Sequence, residues 1–275
     1  MSKATVSYGA HQAEIRAGER YAFGENWARF LRLIDDDRIQ QAVESLREML
    51  EVEDLRGKTF LDVGSGSGLF SLAARRLGAR VVSFDYDPKS VACTQELKRR
   101  YFNGDSDWDV RIGSVLDTQF LSVLGVFDVV YSWGVLHHTG AMWEALANVD
   151  PKVAADGRIF LALYNHQPFA TRYWKFIKRM YNKHPFARPV LVFTHAIYPT
   201  LPSVVLKHVQ RRKYPRGMSS WYDLLDWLGG YPFEVARPED VFEFYKRRGY
   251  QLTKLKTVGG RLGCNEFVFQ RTSAR

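Results

Sequence analysis

The 275-residue chain has only two cysteines, and no run of apolar residues in it has the length and purity of a membrane span. Cys93 and Cys264 form neither a disulfide framework nor a metal-ligand spacing, which excludes a cystine-stapled or zinc-held scaffold and suits a reducing cytoplasm. The N-terminus lacks the apolar core of a signal peptide. There is no internal repeat and no low-complexity tract. Acid is missing from one long stretch: from Gly157 through Tyr222 there is no Asp or Glu, and the basic residues there account for the net charge of +9. What is present is 46% hydrophobic and 14% aromatic content, enough to bury a sizeable core in one enlarged domain.

The most informative stretch is Phe60-Leu-Asp-Val-Gly-Ser-Gly-Ser-Gly68. Phe60 to Val63 is a short apolar run suited to a parallel strand, and Gly64, Gly66 and Gly68 let the backbone turn sharply and approach a ligand that a Cβ would obstruct. Leu69 to Leu77 continues at helical spacing and stops at Gly78. A dinucleotide fingerprint would place its third glycine where this chain has Leu69. Here the spacing is G-x-G-x-G, and Asp62 stands two residues before the first glycine. That is an awkward place for a carboxylate facing pyrophosphate and a good one for a carboxylate facing a positive amino end.

These features together resemble the first motif, D-x-G-x-G-x-G, of class I S-adenosylmethionine-dependent methyltransferases. The resemblance implies that Asp62 lies near the methionine moiety of S-adenosylmethionine, with Gly64, Ser65, Gly66 and Gly68 forming the turn beneath it. Beyond Gly78, Val81-Val-Ser-Phe84 reads as a second buried strand. It delivers Asp85 about 20 residues past the glycine turn, where a ribose-binding acid belongs. Asp87 competes for that role, but it precedes Pro88 and a helical run, so it is assigned the N-cap with Pro88 at the first helical position. Tyr86 is placed to lie against the adenine. A third strand, Asp109 to Gly113, leads to Ser114 and Val115, where the resemblance implies contact with the adenine edge. The family often has an acid where this chain has Ser114, which leaves backbone amides or Asp117 to make that contact.

A fourth strand, Phe127 to Ser132, runs into Trp133-Gly-Val-Leu-His-His-Thr139. The pattern is similar to the quinone-biosynthetic and small-molecule branch of the family, whose fourth strand commonly ends in Val-Leu-x-His, and His138 matches that histidine. Ser132 and Trp133 are expected at the cofactor. A fifth strand, Arg158 to Tyr164, ends in Asn165 and His166. Ligands of open α/β sheets bind outside the carboxyl ends of the strands, so Trp133, His138, Tyr164 and Asn165 are expected to converge above the methyl group. His138 is the candidate general base, because a neutral imidazole is available near neutral pH, or else a brace for its loop. His137 is read as structural.

The expected fold is α/β: a Rossmann-like seven-stranded sheet with an antiparallel last strand, flanked by helices, with a helical cap insertion. Residues 1–56 are assigned to N-terminal helices or a lid, 57–165 to the cofactor-binding core, 166–236 to a basic cap, and 237–275 to the last helix and two strands. Arg38 to Leu50 has helical spacing, and the aromatic stretch Arg20 to Trp27 packs or closes on the site, with Tyr21 and Trp27 as substrate candidates. In the segment before the last helix, Trp227, Tyr231 and Glu234 are further candidates, and core packing accounts for Trp221, Leu224, Leu225 and Leu228.

In the basic insertion, Tyr173, Phe176, Ile177, Met180 and Tyr181 form one apolar helical face, with Arg172, Lys175, Lys178, Arg179 and Lys183 around the remainder. The charge-free run Pro189 to Leu206 is interrupted by Pro189, Pro199 and Pro202, which argues against a spanning helix. The insertion reads as a cap with a solvated rim, as a dock for an anionic substrate, or as a peripheral contact with an anionic membrane. Nucleic acid is disfavoured. The turn after the fourth strand, Ser132-Trp-Gly-Val, lacks the Asn/Asp-Pro-Pro-Tyr type of grip on a flipped base, and neither cysteine is expected at a catalytic strand end.

The expectation is therefore methyl transfer from S-adenosylmethionine, without metal, to an oxygen of a small-molecule, lipid-linked or glycan acceptor. The protein is expected in the cytoplasm or peripherally on a membrane. The alternatives are an RNA methyltransferase using the basic insertion and a non-catalytic cofactor-binding assembly module.

Overall fold

The computed structural model describes residues 3–195 and 220–272, without the side chains of residues 3–8, 220–223 and 226. Seven strands form one sheet: β1 (Thr59–Val63), β2 (Arg80–Asp85), β3 (Trp108–Ile112), β4 (Phe127–Trp133), β5 (Val153–Tyr164), β6 (Tyr250–Lys256) and β7 (Cys264–Arg271), in the order β3-β2-β1-β4-β5-β7-β6. The first five run parallel, and β7 is antiparallel to both of its neighbours. This is the expected sheet. From β1 the chain builds outward through β2 and β3, then returns to the other side of β1 with β4. That reversal opens a crevice outside the carboxyl ends of β1 and β4.

Helices cover both faces. Those preceding and within the sheet are α1 (Lys3–Arg16), α2 (Phe23–Phe30), α3 (Asp36–Leu50), α4 (Leu69–Arg76), α5 (Pro88–Tyr101), α6 (Thr118–Ser122) and α7 (Met142–Val149). Then come α8 (Pro168–Lys183), α9 (Ser220–Gly229) and α10 (Pro238–Lys246). The period-2 pattern of the strands sorts their residues. Phe60, Val129, Tyr131, Phe160 and Val268 pack toward α3, α4 and α5, while Leu61, Val130, Ile159, Leu161, Phe267 and Phe269 pack toward α7 and α10. Each such large side chain contributes about 1.5–3 kcal/mol by leaving water.

Helix starts follow local chemistry. Asp35 accepts from the Arg38 amide to open α3, and Asp87 accepts from the Lys89 amide to open α5 with Pro88 as the first helical residue. Asp117 caps α6 through the Phe120 amide and lies outside the cavity lining, so the adenine contact considered for it does not arise.

Ile177 and Tyr181 of α8 meet Leu228 of α9 in a small third cluster, with Tyr21, Trp174 and Leu224 packed against it. The orientation of α8 differs from expectation. Ile177 and Lys178 turn inward, and Lys178 is fully buried with its ammonium donating to the Trp227 carbonyl among the rings of Tyr164, Trp227 and Phe233. Tyr173 and Phe176 face outward instead. Pro199, Pro202, Lys207, Arg211, Arg212, Lys213, Arg216 and the Trp221 side chain lie outside the described residues.

Candidate active site

The glycine turn folds back onto the end of β2. The amides of Gly64 and Ser65 donate to the Phe84 carbonyl at 2.9 and 3.0 Å, and the Gly66 amide donates to Asp85 Oδ2 at 2.9 Å. Two of the glycines are required sterically. Gly64 has φ +80°, and a Cβ there would stand 2.3 Å from Val135 Cγ1; Gly66 has φ +55°, and a Cβ would meet the Trp27 indole at 3.0 Å. Trp27, from α2, therefore lies across the turn.

A cavity of about 580 Å³ opens at this point, within the usual range for small-molecule sites. One end is walled by Asp62 through Ser67, Asp85, Tyr86 and the turn Gly113 to Leu116. The other end is walled by Phe23, His138, Thr139, Tyr164, Trp227, Lys256, Cys264 and Glu266. Of the expected site residues, the cavity thus brings together Asp62, Gly64, Ser65, Gly66, Asp85, Tyr86, Ser114, Val115, Trp133 and His138, with Tyr21, Trp27, Tyr164 and Trp227.

Five expected residues stand elsewhere, each held by a structural bond or by packing. Gly68 starts α4 with φ +81° and packs against the Thr94 backbone. Ser132 alternates with Tyr131 and Trp133 along β4, so it points away from the cavity and its Oγ donates to the Val63 carbonyl. Asn165 donates to the carbonyls of Gly259 and Arg261 and accepts from Asn265, bracing the loop before β7. Tyr231 gives its carbonyl to the Tyr21 amide, and the Glu234 carboxylate accepts from the Met142 amide at the start of α7. Cys264 departs from expectation in the opposite sense. Because β7 is antiparallel, its first residue pairs with Tyr164 at the carboxyl end of β5 and reaches the cavity wall.

The electrostatics are set by burial. Asp62 is buried beneath the turn and accepts from Ser71 Oγ at 2.5 Å; burial pushes its carboxyl up to about 7, with the charge of Asp85 adding to the effect. Asp85 is likewise pushed up to about 7 by burial, against the opposing effect of the amides of Asp87 and Gly66 that it accepts. Asp87 is fully engaged: Oδ1 accepts from the Lys89 amide, and Oδ2 accepts from the Gly24 amide at 2.7 Å and stands 3.7 Å from His11 Nε2. It ties the first turn of α2 to the helix it caps.

His138 sits on the short turn Leu136–His138 after β4. Its Nδ1 is 2.7 Å from the Pro232 carbonyl, which can only accept, so Nδ1 carries the proton and the Nε2 lone pair is left without a partner among the described residues. Burial pushes its pKa down to about 3, and the charges of Lys178 and Arg20 act in the same direction. Arg20 reaches the same turn from the N-terminal segment. It donates to the His138 carbonyl at 3.0 Å and to Glu14, and lies 4.9 Å over the Tyr86 ring. Sequence reasoning did not single out Arg20, Phe23 or His11 as site residues. The aromatic run from Arg20 pointed to the first two, whereas nothing local marks His11, whose buried Nδ1 has no partner and which lines the cavity.

The free lone pairs on Asp85, the apolar walls and the glycine turn suit a ligand with vicinal hydroxyls and a flat ring. Residues 61–159 match the family model described as a methyltransferase domain. A ribosomal protein L11 methyltransferase from Alteromonas mediterranea is 33% identical over 119 residues, covering 38% of this chain and 40% of that protein. A mitochondrial ubiquinone biosynthesis O-methyltransferase from Schizosaccharomyces pombe is 30% identical over 139 residues, covering 49% of this chain and 47% of that protein. The chain therefore spans less than half the length of either relative. Magnesium protoporphyrin IX methyltransferase from Synechocystis PCC 6803, solved with bound SAH, shares the fold at 13% identity with a TM-score of 0.51, over 85% of this chain and 82% of that one.

Proposed function

We propose that this chain, which carries a class I S-adenosylmethionine-dependent methyltransferase domain, transfers the cofactor's methyl group to an oxygen of a small-molecule, lipid-linked or glycan acceptor. The observation that carries this reading is the shared cavity. The glycine turn and Asp85 form one end, and His138, with its Nε2 lone pair free, forms the other.

The residues fit the cofactor. A Cβ at Gly64 or Gly66 would crowd Val135 or Trp27 in the cavity wall, and each Asp85 oxygen, having accepted one backbone amide, retains a lone pair for a ribose hydroxyl. Asp62 offers its carboxylate to a positive amino end, and Tyr86 with the Gly113 to Leu116 turn offers the walls for a purine. S-adenosylmethionine, when bound, supplies a methyl group already activated by its sulfonium.

The rest falls to this chain's own side chains. Phe23, Tyr164 and Trp227 enclose the acceptor and exclude water. His138 is neutral at physiological pH, so Nε2 accepts the acceptor's O–H and orients its oxygen. With its pKa depressed, His138 is too weak a base to ionise a resting alcohol. It takes the proton as the oxygen bonds to carbon, when that proton becomes strongly acidic. The Pro232 carbonyl keeps the ring in the tautomer this requires. No disulfide joins Cys93 and Cys264, which fits work in a reducing cytoplasm.

Calorimetric titration of the full chain with S-adenosylhomocysteine and, separately, with NAD tests the reading. Saturable binding of the first and none of the second is expected. Binding of NAD alone would overturn it.

A further inference from the structure

We propose that the outer face of α8 and the helical segment 188–195 form a docking surface for an anionic lipid bilayer. Phe169, Tyr173 and Phe176 follow one another at helical spacing along α8 and are 88%, 51% and 61% exposed. Beyond the end of α8 the apolar surface continues with Phe186, Val190 and Phe193, at 95%, 62% and 67% exposed. So many large apolar side chains held in water within one stretch of chain mark an interaction surface.

The charge on this face identifies the partner. Arg172, Arg179 and Lys183 run beside the aromatic stripe, all exposed, and none forms an ion pair among the described residues. Every ion pair among the described residues lies outside residues 157–222, the stretch that has no Asp or Glu to offer. An aromatic stripe flanked by uncompensated cations complements a surface with anionic headgroups over hydrocarbon. The long basic side chains can keep their charge at headgroup level while the rings sink below it.

A nucleic-acid partner fits less well. Single-stranded nucleic acid is held in a basic groove with aromatic platforms. Here the rings project from the outside of a helix, and Val190 offers nothing to a base. No helix among the described residues is long and apolar enough to cross a membrane, so the contact is peripheral. The inner face of α8 packs on Trp227 and Tyr164, which wall the cavity. The acceptor end therefore lies about one helix diameter, roughly 10 Å, behind the proposed contact.

Flotation of the full chain with phosphatidylcholine vesicles, with and without phosphatidylglycerol, tests the proposal, with filter binding to bulk tRNA run in parallel. The expected result is flotation only with phosphatidylglycerol. Partition should fall about tenfold or more in Phe169→Ser/Phe176→Ser/Phe186→Ser, and about a hundredfold in Arg172→Gln/Arg179→Gln/Lys183→Gln, at about fivefold for each cation. S-adenosylhomocysteine affinity should be unchanged in both variants, and it separates failure of docking from failure of the methyl-transfer reading. If the serine variant loses that affinity, the single Phe186→Ser, at the most exposed ring, carries the test. Tight tRNA binding without flotation, no binding to either, or flotation indifferent to the substitutions would overturn the proposal.

Discussion

Around the sheet, cations meet carboxylates and aromatic rings are buried; along the outer side of α8, both are left to solvent. Arg75 pairs with Asp105 at 2.6 Å and Arg271 with Asp150 at 2.5 Å, while Trp108, Phe160 and Phe269 are fully buried. Arg172 and Arg179 have no such partner among the described residues, and Phe169 and Phe176 stand in water. Surface ion pairs contribute little to stability, so the contrast concerns what each surface meets. The sheet region meets its own charges and rings, and the α8 surface is the one proposed to meet a bilayer. The cavity sits between the two, with its cofactor end on the first and its acceptor end against the second.

The largest effect expected at that junction is on catalysis. His138→Ala should lower the rate on the true acceptor by about 10²–10⁴-fold and leave S-adenosylhomocysteine affinity intact. If affinity falls with the rate, His138 is a brace for its turn.

Next comes the cofactor end. Asp85→Ala should weaken S-adenosylhomocysteine binding by about 1.5–3 kcal/mol, the worth of hydrogen bonds to a charged group. Asp87→Ala should act on the fold instead, costing about 0.5–2 kcal/mol for a lost helix cap. Calorimetry showing the two variants with exchanged effects would reassign the ribose contact.

A smaller effect appears in the pH dependence of folding. Asp62 and Asp85, raised to about 7, hold protons in the native state that the unfolded chain has released above the ordinary carboxylate range. Their contribution therefore favours the fold at low pH and fades as pH rises through about 7. His138, lowered to about 3, and His137, well below its ordinary value through burial, act oppositely. Their contribution is full above the ordinary histidine value and is lost as pH falls toward 3. Between about pH 4 and 6.5 the two slopes oppose. Asp62→Asn should unmask the histidines, so that stability falls more steeply on acidification, by roughly 1.4 kcal/mol per pH unit for one proton. Urea midpoints that keep the wild-type pH dependence would show that Asp62 does not carry the proton.

The smallest effect tests the comparison itself. Phe176→Ser should change unfolding free energy by no more than about 0.5 kcal/mol. Phe160→Ala, in the buried sheet, should cost about 3–5 kcal/mol. A loss of 2 kcal/mol or more at Phe176 would mean that this ring is packed and the α8 surface is not free to meet a partner.

Much of the cofactor end was legible because its signals are local. Positive φ at Gly64 and Gly66, a carboxylate two residues before the turn, and an Asp-Pro pair opening a helix are properties of adjacent residues. Asp87 caps α5 as expected, and Asp85 lines the cavity, which Asp87 lines as well. The acceptor end was legible only in part. Ser132 and Asn165 adjoin the lining residues Trp133 and Tyr164, but their side chains bond elsewhere, as does that of Glu234, and Tyr231 stands outside the lining. Neighbouring residues on a strand face opposite sides, and only the assembled sheet shows which parity the cavity sees. His11 and Arg20 reach the site from the N-terminal segment, and Cys264 reaches it because β7 runs antiparallel.

The chain's own order of residues determined the doubly wound sheet, the glycine turn and the acid-free character of the insertion. Apolar runs of strand length, glycines where no side chain fits, and capping residues act within a few residues of where they stand. The tertiary structure alone decided which side of α8 faces in. Tyr173, Phe176, Ile177 and Lys178 are consecutive in pattern and similar in kind, and both sides of the helix carry rings and cations. Ile177 and Lys178 were drawn inward by Leu228, Tyr164, Trp227 and Phe233, partners that lie distant in sequence. Their capture is what left Phe169, Tyr173 and Phe176 outside.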